Sequence, residues 1–137
     1  HRELKARNAA PGGICVGIMG GAAAGALGGD GSYTKQDEGE NVKSKNGRFN
    51  LIHQKDGNVV IYDGSSPIWA TNTCGQKTTQ FVMQADGNLV LYGPGGALWA
   101  SNTMNSGATK AIMQDDGNMV LYTASNAAAW ATNTQRA

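Results

Sequence analysis

The chain has little charge and little cysteine, and both shortages narrow its function. Charged residues make up 15 % of its 137 positions and the formal net charge is +1. Such a chain carries neither a basic stripe for a phosphate backbone nor an acidic tail. Nucleic acid is therefore not an expected partner, and recognition has to rest on neutral hydrogen-bonding groups. Two cysteines, Cys15 and Cys74, and two histidines, His1 and His53, stand too far apart for the closely spaced ligand patterns of zinc sites. No metal and no cofactor is expected. Spacing leaves three states open for the cysteines: one bond within the chain, one between subunits, or two free thiols. Long amphipathic helical patterns are also missing beyond the first thirty or so residues. What is abundant is glycine, at 20 residues, with clusters of Asn, Thr and Ser and short Val/Ile/Leu/Tyr runs. That mixture suits an all-β fold with many turns.

The chain repeats itself. Gln54, Gln84 and Gln114 each open a segment of the form Gln-x-Asp-x-Asn-x-Val-x-Tyr, at a spacing of 30 residues. Each segment is followed by a tryptophan block: Trp69-Ala70-Thr71-Asn72-Thr73, Trp99-Ala100-Ser101-Asn102-Thr103 and Trp130-Ala131-Thr132-Asn133-Thr134. The gap from Tyr to Trp is 7 residues in two copies and 8 in the last, so the third unit has the longer loop. Self-similarity at a fixed period marks a fold built from one repeated supersecondary unit.

Within a unit, Phe49 to Gln54 reads as a strand and Asn58 to Tyr62 as its partner. Lys55-Asp56-Gly57 is the hairpin loop, with glycine at the left-handed position. The tryptophan block supplies a third strand, and the stretch leading to the next repeat is expected to supply a fourth. Period-two geometry turns Val59 and Ile61, Leu89 and Leu91, and Met119 and Leu121 toward the core. It turns Asn58, Val60 and Tyr62, with Gln54 and Asp56, to an outer polar face.

Gln-x-Asp-x-Asn-x-Val-x-Tyr resembles the mannose-binding signature of the bulb-type lectins, the snowdrop-like family of monocots with relatives in fish, fungi and bacteria. The resemblance covers about Ser32 to Ala137. It implies a β-prism II fold: three four-stranded antiparallel sheets about a pseudo-threefold axis, with Trp69, Trp99 and Trp130 packed near that axis. It also implies one sugar site per sheet, in which Gln, Asp, Asn and Tyr bond mannose hydroxyls and Val touches ring carbons. Those positions are Gln54, Asp56, Asn58, Val60 and Tyr62; Gln84, Asp86, Asn88, Val90 and Tyr92; and Gln114, Asp116, Asn118, Val120 and Tyr122. Plant members commonly carry a cysteine between the motif's Asp and Asn in the first copy; here that position is Gly57.

The residue types suit a neutral hexose independently of the family. Its hydroxyls both donate and accept, so a reader needs a carboxylate, amides and a phenol together. Catalysis is not expected, because a glycosidase needs two carboxyls facing one bond, whereas the repeated aspartates fall in separate units. Asp115, beside Asp116, is expected to turn away from the third site. His53 reads as a partly buried strand residue.

Residues 1–31 form a separate glycine- and alanine-rich arm, and 32–137 the lectin-like domain. Gly13, Gly17, Gly21, Gly25 and Gly29 recur every fourth residue, a small-residue ridge along which chains approach closely. A membrane span over Pro11 to Gly29 is the less favoured reading, given the roughly 1 kcal/mol that each glycine costs a helix. The favoured one is an arm that joins subunits into a homo-oligomer or filament. The expected function is a secreted or surface-exposed lectin for mannose-containing glycans; the alternative is a structural, self-assembling subunit built on a lectin fold.

Overall fold

A computed structural model describes residues 31–137. The expected association with a membrane or with other subunits through the arm falls on residues 1–30, outside the described residues. Among the described residues no helix is long and apolar enough to cross a membrane.

Twelve strands make three four-stranded antiparallel sheets. The first sheet runs β3 (Asn41–Lys43), β4 (Phe49–His53), β5 (Val59–Asp63) and β6 (Ser66–Ala70). The second joins β2 (Lys35–Asp37) to β7 (Gln80–Met83), β8 (Leu89–Gly93) and β9 (Gly96–Ala100). The third joins β1 (Ser32–Tyr33) to β10 (Ala108–Met113), β11 (Met119–Thr123) and β12 (Ala128–Ala131).

Each sheet is thus three consecutive strands of one repeat plus a short strand from the segment before Gly47. This corrects the expectation that the fourth strand precedes each following repeat. Residues 71–79 and 101–107 contain no strand, because their Thr/Ser side chains and left-handed Asn residues bond back to the hairpin of their own unit. The three outer strands instead lie in one run, 32–43, and deal themselves to the three sheets in reverse order. Each sets one side chain opposite the core position of its neighbour: Tyr33 against Ala111, Gln36 against Phe81, and Val42 against Leu51.

The core follows the alternation read from sequence. Val59, Ile61, Leu89, Leu91, Met119 and Leu121 are fully buried in one cluster with Phe49, Leu51 and Phe81. Ile61 pairs with Trp69, Leu91 with Trp99 and Leu121 with Trp130, and in each case the register shifts immediately afterwards. The three indoles close a triangle, with centroids 5.5, 5.7 and 6.2 Å apart and rings meeting edge to face. Edge-to-face contact is the arrangement that aromatic quadrupoles favour. The tryptophans are half-buried rather than enclosed, and pack against the cluster from outside it.

His53 is more buried than its sequence context suggested. It has no exposed surface; Nδ1 lies 3.1 Å from the Gln36 carbonyl and Nε2 2.8 Å from Thr78 Oγ1. Burial pushes its pKa below the ordinary 6.5, although the bond to the Gln36 carbonyl acts in the opposite direction. The folded chain therefore holds His53 neutral, while the unfolded chain takes up a proton near 6.5. Its contribution to stability is complete above that pH and is lost as pH falls toward the folded value. Denaturant midpoints between about pH 7 and pH 5.5, where ordinary carboxylates stay ionised, should fall for the parent and stay flat in His53→Gln. Equal slopes would remove His53 as the cause.

Candidate functional site

Each repeat turns at its motif. In the first, Gln54 N–H donates to the Asn58 carbonyl at 2.8 Å and Gly57 N–H to the Gln54 carbonyl at 3.1 Å, so the loop closes between Gln54 and Asn58. The same pairs form at Gln84 and Asn88 and at Gln114 and Asn118. Three identical loops then place three identical sets of side chains.

The polar groups of a set are wired to one another. The Tyr62 hydroxyl donates to Gln54 Oε1, whose own Nε2 donates to both oxygens of Asp56 at 3.0 Å. Asp56 Oδ1 accepts in turn from the Asn58 backbone N–H at 2.9 Å. Tyr92, Gln84, Asp86 and Asn88 repeat the chain, as do Tyr122, Gln114, Asp116 and Asn118. Charge-assisted bonds to a carboxylate are the stronger kind, so the hydroxyl, amide and acid are held at fixed positions before any ligand arrives.

The motif's asparagine has a second task. Asn88 Oδ1 accepts from the Thr103 backbone N–H at 3.1 Å and from Ser101 Oγ at 3.2 Å, and Thr103 Oγ1 donates to the Gly87 carbonyl at 2.6 Å. Asn58 meets Thr73 and Thr71 in the same way, and Asn118 meets Asn133, Thr134 and Thr132. Because the amide is planar, drawing its oxygen inward turns its NH2 outward. The Thr/Ser-Asn-Thr blocks are therefore the clamp behind each site. Sequence analysis gave a role only to their tryptophans; the signal for the rest was their repetition. Their central Asn72, Asn102 and Asn133 sit at φ 59, 61 and 59°, a left-handed conformation that asparagine tolerates better than most residues.

The sites differ in exposure. Gln84, Tyr92, Gln114, Asn118 and Tyr122 are half-buried and Asp86 and Asp116 exposed, whereas Asn88, Val90 and Val120 are buried, which corrects the expectation that all five motif positions lie on an exposed face. Gln54, Asn58, Val60 and Tyr62 are buried instead, which corrects the expected exposed face of the first repeat. Burial, and secondarily the charge of Asp56, pushes the Tyr62 phenol up to about 12. Asp115 turns away from the third site as expected, accepting from the Asn46 backbone N–H at 2.8 Å. Cys74 is disulfide-bonded, and its Sγ lies 3.8 Å from Asp56 Oδ2. A bonded sulfur has no proton, so this is a contact and not a hydrogen bond. No group of three or more His, Cys, Asp or Glu is placed to hold a metal among the described residues.

No family model matches the chain. Solved structures do. A monomeric monocot mannose-binding lectin from Gastrodia elata is 35 % identical, with TM-score 0.71 over 77 % of this chain and 98 % of its own. The mannose-specific agglutinin of snowdrop, Galanthus nivalis, complexed with methyl-α-D-mannoside, is 38 % identical over 79 % of this chain and 100 % of its own, with TM-score 0.62. The chain belongs to the bulb-type mannose-binding lectin family.

Membership covers the described domain and agrees with its β-prism II architecture; it places the chain among lectins and not among enzymes. A mannose-specific lectin of Narcissus pseudonarcissus shares 60 % identity over 30 residues, which is 22 % of this lectin and 28 % of that one. The chain spans less than half the length of the relatives it matches by sequence alone.

Proposed function

We propose that residues 32–137 bind mannose-containing glycans through the outer faces of the three motif hairpins. The observation that carries this reading is the Tyr-to-Gln-to-Asp chain, repeated three times on faces that the core does not use. In each site the carboxylate and the phenol oxygen accept from sugar hydroxyls, and the Asn NH2, with whichever Gln NH2 hydrogen is not held by the Asp carboxylate, donates to them. Val60, Val90 and Val120 give the ring carbons an apolar seat. An axial hydroxyl that meets both carboxylate and amide separates mannose from its equatorial epimer, whose binding leaves those groups unpaired. The snowdrop relative's complex with methyl-α-D-mannoside supports the choice of sugar.

A small polar ligand exchanges water hydrogen bonds for protein ones, so each site is weak alone. Useful avidity comes from several sites meeting one glycan surface. The bonded state of Cys74 favours an oxidising, extracellular setting. The lectin domain at 32–137 is the binding unit, with residues 1–31 a separate arm.

The test is retention on immobilised mannose and elution by free methyl mannoside. Asp→Asn at 56, 86 and 116 keeps the acceptor that each hairpin needs while removing the charge. Each lost charge-assisted bond is worth about 1.5–3 kcal/mol, or roughly 10- to 150-fold per site. The parent should be retained and the triple variant should pass through. A parent that passes through unretained sinks the reading and favours the structural-subunit alternative.

A further inference from the structure

The residue that follows each clamp differs from repeat to repeat: Cys74 after Thr73, Met104 after Thr103 and Gln135 after Thr134. Its place in the fold does not differ. On one side the clamp threonine gives its backbone N–H to the motif's asparagine, at 3.1 Å for Thr73 and Thr103 and 3.4 Å for Thr134. On the other side the next backbone N–H donates to the carbonyl of the motif's aspartate. Gly75 meets Asp56, Asn105 meets Asp86 and Arg136 meets Asp116, each at 2.7 Å. A residue anchored on both sides has its Cβ fixed relative to that aspartate. In the first repeat Cys74 Sγ accordingly lies 3.8 Å from Asp56 Oδ2. The equivalent bonds set Met104 beside Asp86 and Gln135 beside Asp116.

That is the side on which a bound mannoside continues. The axial hydroxyl of mannose is on C2, and the anomeric carbon is the next ring atom. If the carboxylate takes the axial hydroxyl, the group attached at the anomeric carbon leaves the site past the aspartate. Asp86 Oδ1 accepts from Gln84 Nε2 and from the Asn88 backbone N–H, whereas Oδ2 accepts from Gln84 alone among the described residues. Oδ2 is therefore the oxygen with room for the sugar, and its counterpart in the first repeat is the one nearest the clamp-following side chain.

Met104 is 59 % exposed, the one large hydrophobic side chain given to water among the described residues. A methionine is unbranched and adaptable, and its sulfur makes favourable contact with aromatic rings. Gln135 is exposed as well, but an amide covered by an apolar group loses its water hydrogen bonds without replacement.

We propose that Met104 is a specificity-determining residue of the second site, which selects mannosides carrying an apolar or aromatic group at the anomeric carbon, a preference that Gln135 denies the third site. The inference rests on the mannose reading for the direction in which the ligand leaves the hairpin. The two sites then share recognition of the sugar ring and differ in what they accept beside it. A thioether on an aromatic ring is worth roughly 2- to 12-fold in affinity.

The test uses the full chain and two ligands, methyl α-mannoside and phenyl α-mannoside. Each is titrated separately while the side-chain amide resonances of Asn88 and Asn118 are followed, which gives a dissociation constant for each ligand at each site. The methyl-to-phenyl ratio of these constants should be about 2 to 12 at Asn88 and about 1 at Asn118. Met104→Gln should lower the ratio at Asn88 to that at Asn118. Gln135→Met should raise the ratio at Asn118 and leave that at Asn88 as in the parent. Both positions are exposed, and surface changes of this kind leave the fold intact. Equal ratios in the parent overturn the proposal, as does a Met104→Gln chain that keeps its ratio at Asn88 or a Gln135→Met chain that gains none at Asn118. In those cases both amides still respond to methyl mannoside, so the mannose reading stands and only the role of Met104 falls. If neither amide responds to either ligand, the mannose reading fails and takes this proposal with it.

Discussion

Replacing Trp99 with alanine should cost the domain about 3 kcal/mol of stability and lower its melting temperature by more than about 10 °C. Trp99 lies 5.5 Å from Trp69, 5.7 Å from Trp130 and 6.0 Å from Phe81, centroid to centroid. Each indole comes from a different sheet, so the triangle is where the three sheets hold one another. Burial of an aromatic in a core is worth about 3–5 kcal/mol on truncation, and the half-buried state of Trp99 places it at the low end. Lost edge-to-face contacts, about 0.5–1.5 kcal/mol each, are part of that sum. Trp99→Phe keeps an edge toward both neighbours and should recover most of the loss. Thermal and denaturant unfolding followed by circular dichroism measure both variants. A loss below about 1 kcal/mol, typical of surface changes, would mean that the sheets are joined by the aliphatic cluster alone.

The triangle was legible through the family resemblance, which implies three tryptophans packed near one axis, and the inward set from Val59 to Leu121 was legible from alternation. Alternation over five residues is enough to settle which side of a strand faces the core. The outer strands were not legible for the complementary reason. Ser32–Tyr33, Lys35–Asp37 and Asn41–Lys43 are two or three residues long, too short to show a period. Their partners lie as far off as Met113, whose N–H donates to the Gly31 carbonyl at 2.8 Å. Nothing local announces such a pairing. The clamp on Asn58, Asn88 and Asn118 was half legible: the Thr-Asn-Thr repetition was visible, but not that its N–H groups converge on the motif's asparagine.

Unequal exposure lay further out of reach. The three motifs are identical at all five positions, so their sequences predict equal faces; the residues between and behind them differ, with Lys55 where the later copies have Ala85 and Asp115, and Cys74 where the second has Met104. A cysteine's bonding state depends on where a distant partner lies, which spacing does not encode.

The motif's glycine should separate the demands of the fold from those of the ligand. A Cβ added at Gly57 would stand 2.0 Å from the Gln76 carbonyl oxygen and 3.0 Å from that of Thr73, at φ +95°. Neither obstacle is a side chain that can swing aside. Gln76 is held by its own N–H on the Thr73 carbonyl at 3.1 Å, and the neighbouring Gly75 N–H donates to the Asp56 carbonyl at 2.7 Å. Gly47 is the comparison: it also has positive φ, at +79°, but nothing stands within 4 Å of its Cβ position. Gly47→Ala should therefore cost only the left-handed penalty, about 1–2 kcal/mol. Gly57→Ala should add a further 1–3 kcal/mol or so for a crowded interior, and should carry Asp56 and Asn58 out of place with it. Urea unfolding of the two variants beside the parent measures the difference. Equal losses would mean that the Gln76 loop yields freely and that the glycine is kept for its φ alone. Gly87 and Gly117 meet backbone atoms near 3 Å in the same way, so glycine is what lets each hairpin dock on its clamp.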